Sequence, residues 1–422
     1  MLRLKYMFYG WRIVGGGFML LLIYGGSAYS FSIFVTPLED TFEWSRAAIS
    51  MAISIYWIGH GICAPFIGRL LQALGSKRVM CISTLLCGVF YVALSLTQSL
   101  WFYYAAFAML STVTVGIGYI PVSDIVSRWF VRRRGTAIGI AMIGISAGGL
   151  IMPPLVSEIV LRFGWRSAFV VLGILAWVVC LPIVLFFMKD SPQDAGLLPY
   201  GEEEVIPETG SDKKPYLNVL KEDWPFKAAI QTKAFIFSSL AFFFAPLAQA
   251  GLLMHQVPIL LDIGISPTTA ATALGLTASI GALGKLAFGR LSEIIQFKYA
   301  PMICFGLQAL SILLLLNADS PVMLWGYVVL FGFSMGGVIV LIPLTVGHFF
   351  GLTAFGVIMG MLSFIQAMGS SCGALISGII YDTFGSYRPA LITYAGLYLI
   401  AVMLIFLAGK TRPYEQGLPL SG

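Results

Sequence analysis

Twelve stretches of roughly 20 or more mostly apolar residues, with hardly a charge inside them, run through this chain. They fall at about 12–37, 46–70, 78–98, 101–127, 135–161, 167–188, 231–261, 267–291, 299–317, 321–347, 353–381 and 387–408. Each is long enough to cross a bilayer as a helix, which satisfies every backbone polar group without water. The rest of the composition agrees. Of 422 residues, 59% are hydrophobic and only 10% charged, whereas soluble domains carry about 25% charged residues. The expected fold class is an all-α integral membrane protein of about twelve transmembrane helices in two six-helix halves. The run from Ile13 to Phe34 has no small-residue cleavage site and is read as a retained first helix.

One polar stretch breaks the pattern, from Lys189 to Lys233, with Pro192, Pro199, Pro207 and Pro215 and the acidic run Glu202–Glu204. It reads as a hinge, with a short interfacial helix near Tyr216–Phe226. The expected organisation is an N-terminal half over 1–190, a linker over 191–230 and a C-terminal half over 231–422.

Charge sets the orientation. Twenty of the 25 Lys and Arg fall on one side of this map, among them Arg69, Arg132, Arg133, Arg134 and Lys298, and only Arg46, Arg162, Arg166 and Arg388 on the other. The positive-inside rule then puts both termini in the cytoplasm and the chain in the cell (inner) membrane as a multi-pass protein. The net charge of +6 follows from topology and calls for no nucleic-acid partner. Six scattered cysteines read as packing residues, and no metal or cofactor is expected. An enzyme is not expected either, since no nucleophile constellation or phosphate-binding loop is present.

The halves echo each other. Gly68-Arg69-Leu70-Leu71-Gln72-Ala73-Leu74-Gly75-Ser76-Lys77-Arg78 follows the second span, and Gly289-Arg290-Leu291-Ser292-Glu293-Ile294-Ile295-Gln296-Phe297-Lys298 follows the eighth. Each resembles the loop motif Gly-x-x-x-Asp-Arg/Lys-x-Gly-x-Arg/Lys of the major facilitator superfamily. The resemblance implies the fold of that family, alternating access between two halves, and gating roles for Gly68, Gly75, Arg78, Arg128, Gly289, Arg290 and Glu293. The first copy departs from the motif: Gln72 replaces the acid, so that gate is expected to rely on hydrogen bonds and helix-end charge.

Further stretches resemble the monocarboxylate and oxalate–formate branch: Tyr9-Gly10-Trp11-Arg12, Trp44-Ser45-Arg46, Trp129-Phe130-Val131-Arg132-Arg133-Arg134-Gly135, Gly164-Trp165-Arg166 and Tyr381-Asp382-Thr383-Phe384-Gly385. The likeness implies that Lys285, in span eight, stands where the family places an Arg for the substrate carboxylate. A charge inside a span is costly and is kept where it is used. Lys keeps the charge but loses the bidentate fork of Arg. Proton-coupled members often carry an Asp four residues earlier, where this chain has Gly281. Tyr119 is similar to a substrate-contacting Tyr of bacterial relatives.

Tyr24 and Tyr29 are further candidates, as phenols that donate to a carboxylate. His255 is a candidate for titration, and Gln366 and Phe331 are weaker ones. Asp124 is expected to pair with Arg128, and Glu158 with Arg162. A lone cavity cation, with no Lys or Arg between Thr353 and Tyr381, favours a monoanion over a dianion. The expected function is a secondary active transporter of a small organic anion, a monocarboxylate, coupled to a proton. The alternatives are an anion exchanger of the oxalate–formate type or an efflux carrier of a larger amphipathic compound. The expected partners are the organic anion, a proton or counter-anion, and the lipid bilayer.

Overall fold

The computed structural model describes residues 8–202, 224–318 and 320–409. Among these, eleven helices are long and apolar enough to cross a membrane. One of them, Arg134–Phe187, is 54 residues long and breaks in the middle at Gly164 (φ 81°, ψ 163°). A left-handed φ of this kind suits glycine, and the break makes two crossings, giving twelve.

In chain order, span one is α1 (Tyr9–Tyr29) and α2 (Val35–Phe42), joined by the tight turns of Ser30–Phe34. Spans two and three are α3 (Arg46–Leu74) and α4 (Ser76–Ser95). Span four is α5 (Leu100–Val115) and α6 (Tyr119–Trp129). Spans five and six are α7 (Arg134–Leu175) before and after Gly164, the second continued by π-type turns to Phe187. After the four-residue α8 (Phe226–Ala229), span seven is α9 (Lys233–Met254) and α10 (Gln256–Asp262). Spans eight to twelve are α11 (Pro267–Ile294), α12 (Tyr299–Leu316), α13 (Pro321–Phe349), α14 (Phe355–Phe384) and α15 (Arg388–Ala408).

Local chemistry places the helix starts. Ser45, Ser99, Thr232, Ser266 and Ser320 each accept from the backbone N–H three residues on, the N-cap arrangement. Residues 203–223 lie outside the described residues, and with them the pair Glu203–Glu204 and the first eight of the eleven residues of the interfacial helix expected at Tyr216–Phe226.

Three expected spans differ from the structure in one respect. Span four does not run unbroken over 101–127: helical geometry stops at Gly116-Ile117-Gly118 and restarts at Tyr119. Spans one and seven are likewise interrupted, at Ser30–Phe34 and at His255. Glycine and the neighbouring prolines weaken the helix at these points, and their apolar flanks hide the breaks in a hydropathy pattern.

Within each half, glycines let helix backbones touch. A Cβ on Gly148 would meet the Leu22 carbonyl oxygen, joining spans one and five, and one on Gly373 would meet that of Leu247, joining spans seven and eleven. The two contacts are equivalent in the two halves. Close backbone approach of this kind holds helices together in lipid, where apolar burial alone gives little.

The motif stretches lie at span ends. Tyr9 and Trp129 meet at a 5.3 Å ring separation, Trp11 and Phe130 at 5.0 Å, and Arg166 lies 4.2 Å over the Trp165 ring. On the basic face, Asp124 takes a two-nitrogen contact from Arg128 and accepts from Ser76 at 2.5 Å. On the opposite face, Arg162 pairs with Glu158 at 2.5 Å.

Candidate functional site

The halves meet through two matched crossings near the basic face. A Cβ on Gly68, in span two, would strike the Gly356 carbonyl oxygen of span eleven, and Gly360 stands against Ala64 one turn away. A Cβ on Gly289, in span eight, would strike the Gly135 carbonyl oxygen of span five, and Gly139 stands against Lys285 one turn away. Glycines spaced by four on spans five and eleven thus face Gly289 and the Lys285 backbone of span eight and Gly68 and Ala64 of span two, so the backbones pack without an intervening side chain.

Polar groups secure each crossing. Glu293 accepts from the Thr136 backbone N–H at 2.6 Å and from the Thr136 hydroxyl at 2.8 Å, and it pairs with Arg290 at 2.9 Å. Its carboxylate therefore caps the first turn of span five, where free N–H groups and the positive end of the helix dipole favour an anion. Gln72 holds the equivalent place in the other half, and its side-chain amide donates to the Thr353 carbonyl at 3.1 Å.

Beside these crossings, polar side chains of both halves lie at the seam in two groups. Lys285 is only 8% exposed and donates to the Ser146 hydroxyl of span five. It makes no ion pair among the described residues. Across the seam, the Tyr24 hydroxyl lies 2.9 Å from His60 Nε2. The His60 ring lies 6.4 Å from that of Tyr119, nearly parallel to it, and Ser363 of span eleven lies beside the Tyr119 hydroxyl. The break in span four places Tyr119 at the first position of α6, so the positive end of that helix opens at mid-membrane beside the Tyr24 ring. An ammonium, two phenols and a helix N-terminus along one seam suit a small anion with an apolar body.

The model of the Major Facilitator Superfamily matches residues 17–366, and again 240–421. The chain belongs to that family. It is 24% identical to the MFS-type transporter YcxA of Bacillus subtilis strain 168, over 89% of this chain and 87% of that protein. It is also 24% identical to human monocarboxylate transporter 12, over 90% of this chain and 77% of that one. The fold superposes on the crystal structure of the human organic anion transporter MFSD10 with a TM-score of 0.72 and 15% identity, covering 94% of this chain and 99% of that one. The protein is a multi-pass membrane transporter of this superfamily and not an enzyme.

In this facilitator the other candidate residues are dispersed. Tyr29 ends α1, is 58% exposed, and its ring lies over Gly149. His255 sits at the break of span seven, where Nδ1 meets the Tyr387 hydroxyl at 3.0 Å. That contact ties span seven to the start of span twelve, within one half. Gln366 is half-buried, one turn from Ser363 on the same face of span eleven. Phe331 lies elsewhere: it is fully buried in the core of the second half, stacked on Tyr327 at 5.6 Å. Phe333 supplies a carbonyl to the Gly284 contact rather than a ring to the interface.

Among the gating candidates, Gly75 has φ +83° and lies against the Asp190 carboxylate. Asp190 accepts from the Lys77 backbone N–H at 2.6 Å, which caps span three. Arg78 is exposed, and Arg128 is held by Asp124. His60 is the residue that sequence reasoning passed over. The signal was present: it is a histidine inside a span, flanked by Gly59 and Gly61, in a chain with only three His.

The Glu293 cap carries a prediction. Glu293→Ala removes all three of its bonds and weakens the seal by about 1 kcal/mol, the usual cost of a lost cap. The equilibrium moves toward the form open at the basic face. A cysteine placed at Ser146 should then react with a thiol reagent from that face about fivefold faster than in the parent. An unchanged rate would mean that Glu293 is a surface group only.

Proposed function

We propose that the protein carries a small monocarboxylate together with a proton, by alternating access between two six-helix halves, in the cell membrane with both termini cytoplasmic. The single observation behind this reading is Lys285. Its ammonium is buried at the seam of the halves with one neutral hydroxyl for company. A charge so placed is costly, and a bound carboxylate offsets the cost.

The surroundings fit one carboxylate rather than two. Tyr24, Tyr119 and Ser146 are donors of the right kind, and the two tyrosine rings suit a short carbon chain. No second cation faces Lys285 from span eleven, which has neither Lys nor Arg between Thr353 and Tyr381. The names of the monocarboxylate transporter and organic anion transporter relatives point the same way. Placing the basic face in the cytoplasm follows the positive-inside rule, and the crossings at Gly68–Gly356 and Gly135–Gly289 then correspond to a closed cytoplasmic side.

The test is uptake of labelled lactate, pyruvate, formate and oxalate into liposomes containing the purified protein, with and without an imposed pH gradient. Saturable uptake of a monocarboxylate, stimulated several-fold by an acidic exterior, is expected. Preference for oxalate in exchange for internal formate, with no response to the gradient, would replace symport by anion exchange. Uptake of none of the four would remove the carboxylate assignment.

A further inference from the structure

A proton-coupled carrier needs a group that gains and loses a proton within the membrane, and the usual position is vacant here, since Gly281 stands in it. Gly281 lies against the Gly332 and Gly336 backbones of span ten, on the packed side of span eight. The described acids offer no substitute. Asp124 is engaged by Arg128 and Ser76, Glu293 by Thr136 and Arg290, Glu158 by Arg162. Glu39, Asp40, Glu43, Asp190, Asp194, Asp262 and Asp382 lie at span ends or in loops, and Glu202, although buried, lies in the linker after span six.

His60 differs from all of these. It is 6% exposed, lies in the middle of α3 and sits beside the seam between the halves. The side chains facing it are neutral: Tyr24 from span one at 2.9 Å, Tyr56 and Trp57 from its own helix with rings at 6.0 and 5.9 Å, and Tyr119 from span four at 6.4 Å. The next residue, Gly61, touches Ala367 of span eleven, so His60 is one residue from the opposite half. Among the described residues, Nδ1 makes no hydrogen bond.

We propose that His60 is the proton-binding residue of this carrier, and that its hydrogen bond with Tyr24 couples the proton to the anion. The proposal rests on the carboxylate symport reading above. With neutral imidazole, Nε2 accepts the Tyr24 hydroxyl proton, and that donor is spent. When a proton from the external solution binds Nε2, the N–H donates to the Tyr24 oxygen instead. The phenol hydrogen is then free to turn toward a carboxylate. One proton is gained and none is lost, and no covalent bond between heavy atoms changes.

The same geometry explains why the two should travel together. Lys285 already supplies one positive charge to the seam, so a second from His60 is less favourable there until an anion binds. Anion and proton therefore each favour the other's binding, a reciprocal coupling. Tyr119, nearly parallel to the His60 ring, also lies beside Ser363 of span eleven, so the imidazole is within one side chain of the other half.

The experiment separates net transport from exchange in the full-length protein in liposomes, with lactate as the probe. His60→Gln keeps a polar side chain of similar reach but cannot take the proton. The expected result is that counterflow of labelled against unlabelled lactate stays within about threefold of wild type. Uphill accumulation driven by the pH gradient, and internal acidification read with an entrapped dye, fall at least tenfold. Tyr24→Phe should lower both readouts together, because the phenol donor is lost.

His60→Gln that accumulates lactate and acidifies the lumen as wild type does would overturn the proposal. Should His60→Gln lose counterflow as well, histidine NMR of the wild type in lipid nanodiscs decides. A His60 signal that turns to imidazolium on adding lactate at pH 6 supports the proposal, and one that does not change overturns it. Wild type that takes up no lactate, pyruvate or formate fails at the earlier step and overturns the carboxylate reading together with this one. Failure of the His60 proposal alone leaves wild-type lactate symport intact.

Discussion

Lys285→Met is expected to abolish uptake and, at the same time, to stabilise the folded protein. The two effects have one cause. In the empty carrier the ammonium is buried against a single hydroxyl, that of Ser146. Replacing a poorly compensated buried charge with an apolar side chain of similar length is commonly stabilising by about 1–4 kcal/mol. The thermal midpoint should therefore rise by a few degrees. With the proposed carboxylate substrate bound the sign reverses, because its charge-assisted hydrogen bond is lost, worth about 3 kcal/mol. At about 1.4 kcal/mol per factor of ten, uptake at low substrate should fall more than 100-fold.

Lys285→Arg should keep part of the activity. The charge remains, but Gly139 packs on the backbone at this position and leaves little room for the wider guanidinium to find its angle. A thermal-shift assay beside the uptake measurement checks both effects. Lowered stability in Lys285→Met with normal uptake would make Lys285 a structural residue, and the anion site would have to lie elsewhere.

How much of this was legible in the sequence depends on the kind of signal. The span positions are set by the length of apolar runs against the thickness of the bilayer, and those runs are plain. Span eight was expected over 267–291 and is observed at Pro267–Ile294, and span twelve over 387–408 is observed at Arg388–Ala408. The breaks were not legible in the same way. Gly116-Ile117-Gly118 interrupts span four with residues as apolar as their neighbours, and a chain with 46 glycines offers many equal candidates. Which glycine pairs touch depends on how two helices cross, which no local pattern encodes.

Lys285 was legible because a lone charge in an apolar run stands out. His60 carried a weaker form of the same signal. What no sequence pattern provides is its setting, since Tyr24, Tyr119 and Ser363 come from three other spans. The reverse error affects Phe331. An aromatic residue in a span of the second half has the right chemistry for a binding wall, yet its ring is in the core against Tyr327. The motif stretches around Trp11, Trp129 and Trp165 served best as markers of family and of span ends, where their rings pack against one another.

Bulk at Gly289 and bulk at Gly148 should fail in opposite ways, although both glycines touch a backbone carbonyl on another helix. Gly148 faces the Leu22 carbonyl within the first half, a contact that exists in every state of a carrier whose halves move as units. Gly148→Leu forces spans one and five apart, and the folded yield should collapse. Gly289 faces Gly135 across the seam, a contact that forms only when the basic face closes. Gly289→Leu keeps a good helix former in span eight and leaves each half intact, so yield and thermal midpoint should stay near those of the parent. Closure at the basic face is what it prevents. A carrier that cannot close one side cannot complete a cycle, and uptake should drop more than 100-fold. In that variant a cysteine at Ser146 should react from the basic face at least tenfold faster. The matched change on the other side of the seam, Gly68→Leu against Gly356, should reproduce the phenotype, because the repeat builds the same crossing twice. Normal transport by Gly289→Leu would mean that the Gly135–Gly289 approach is not a moving contact, and the two halves would then have to open about some other line.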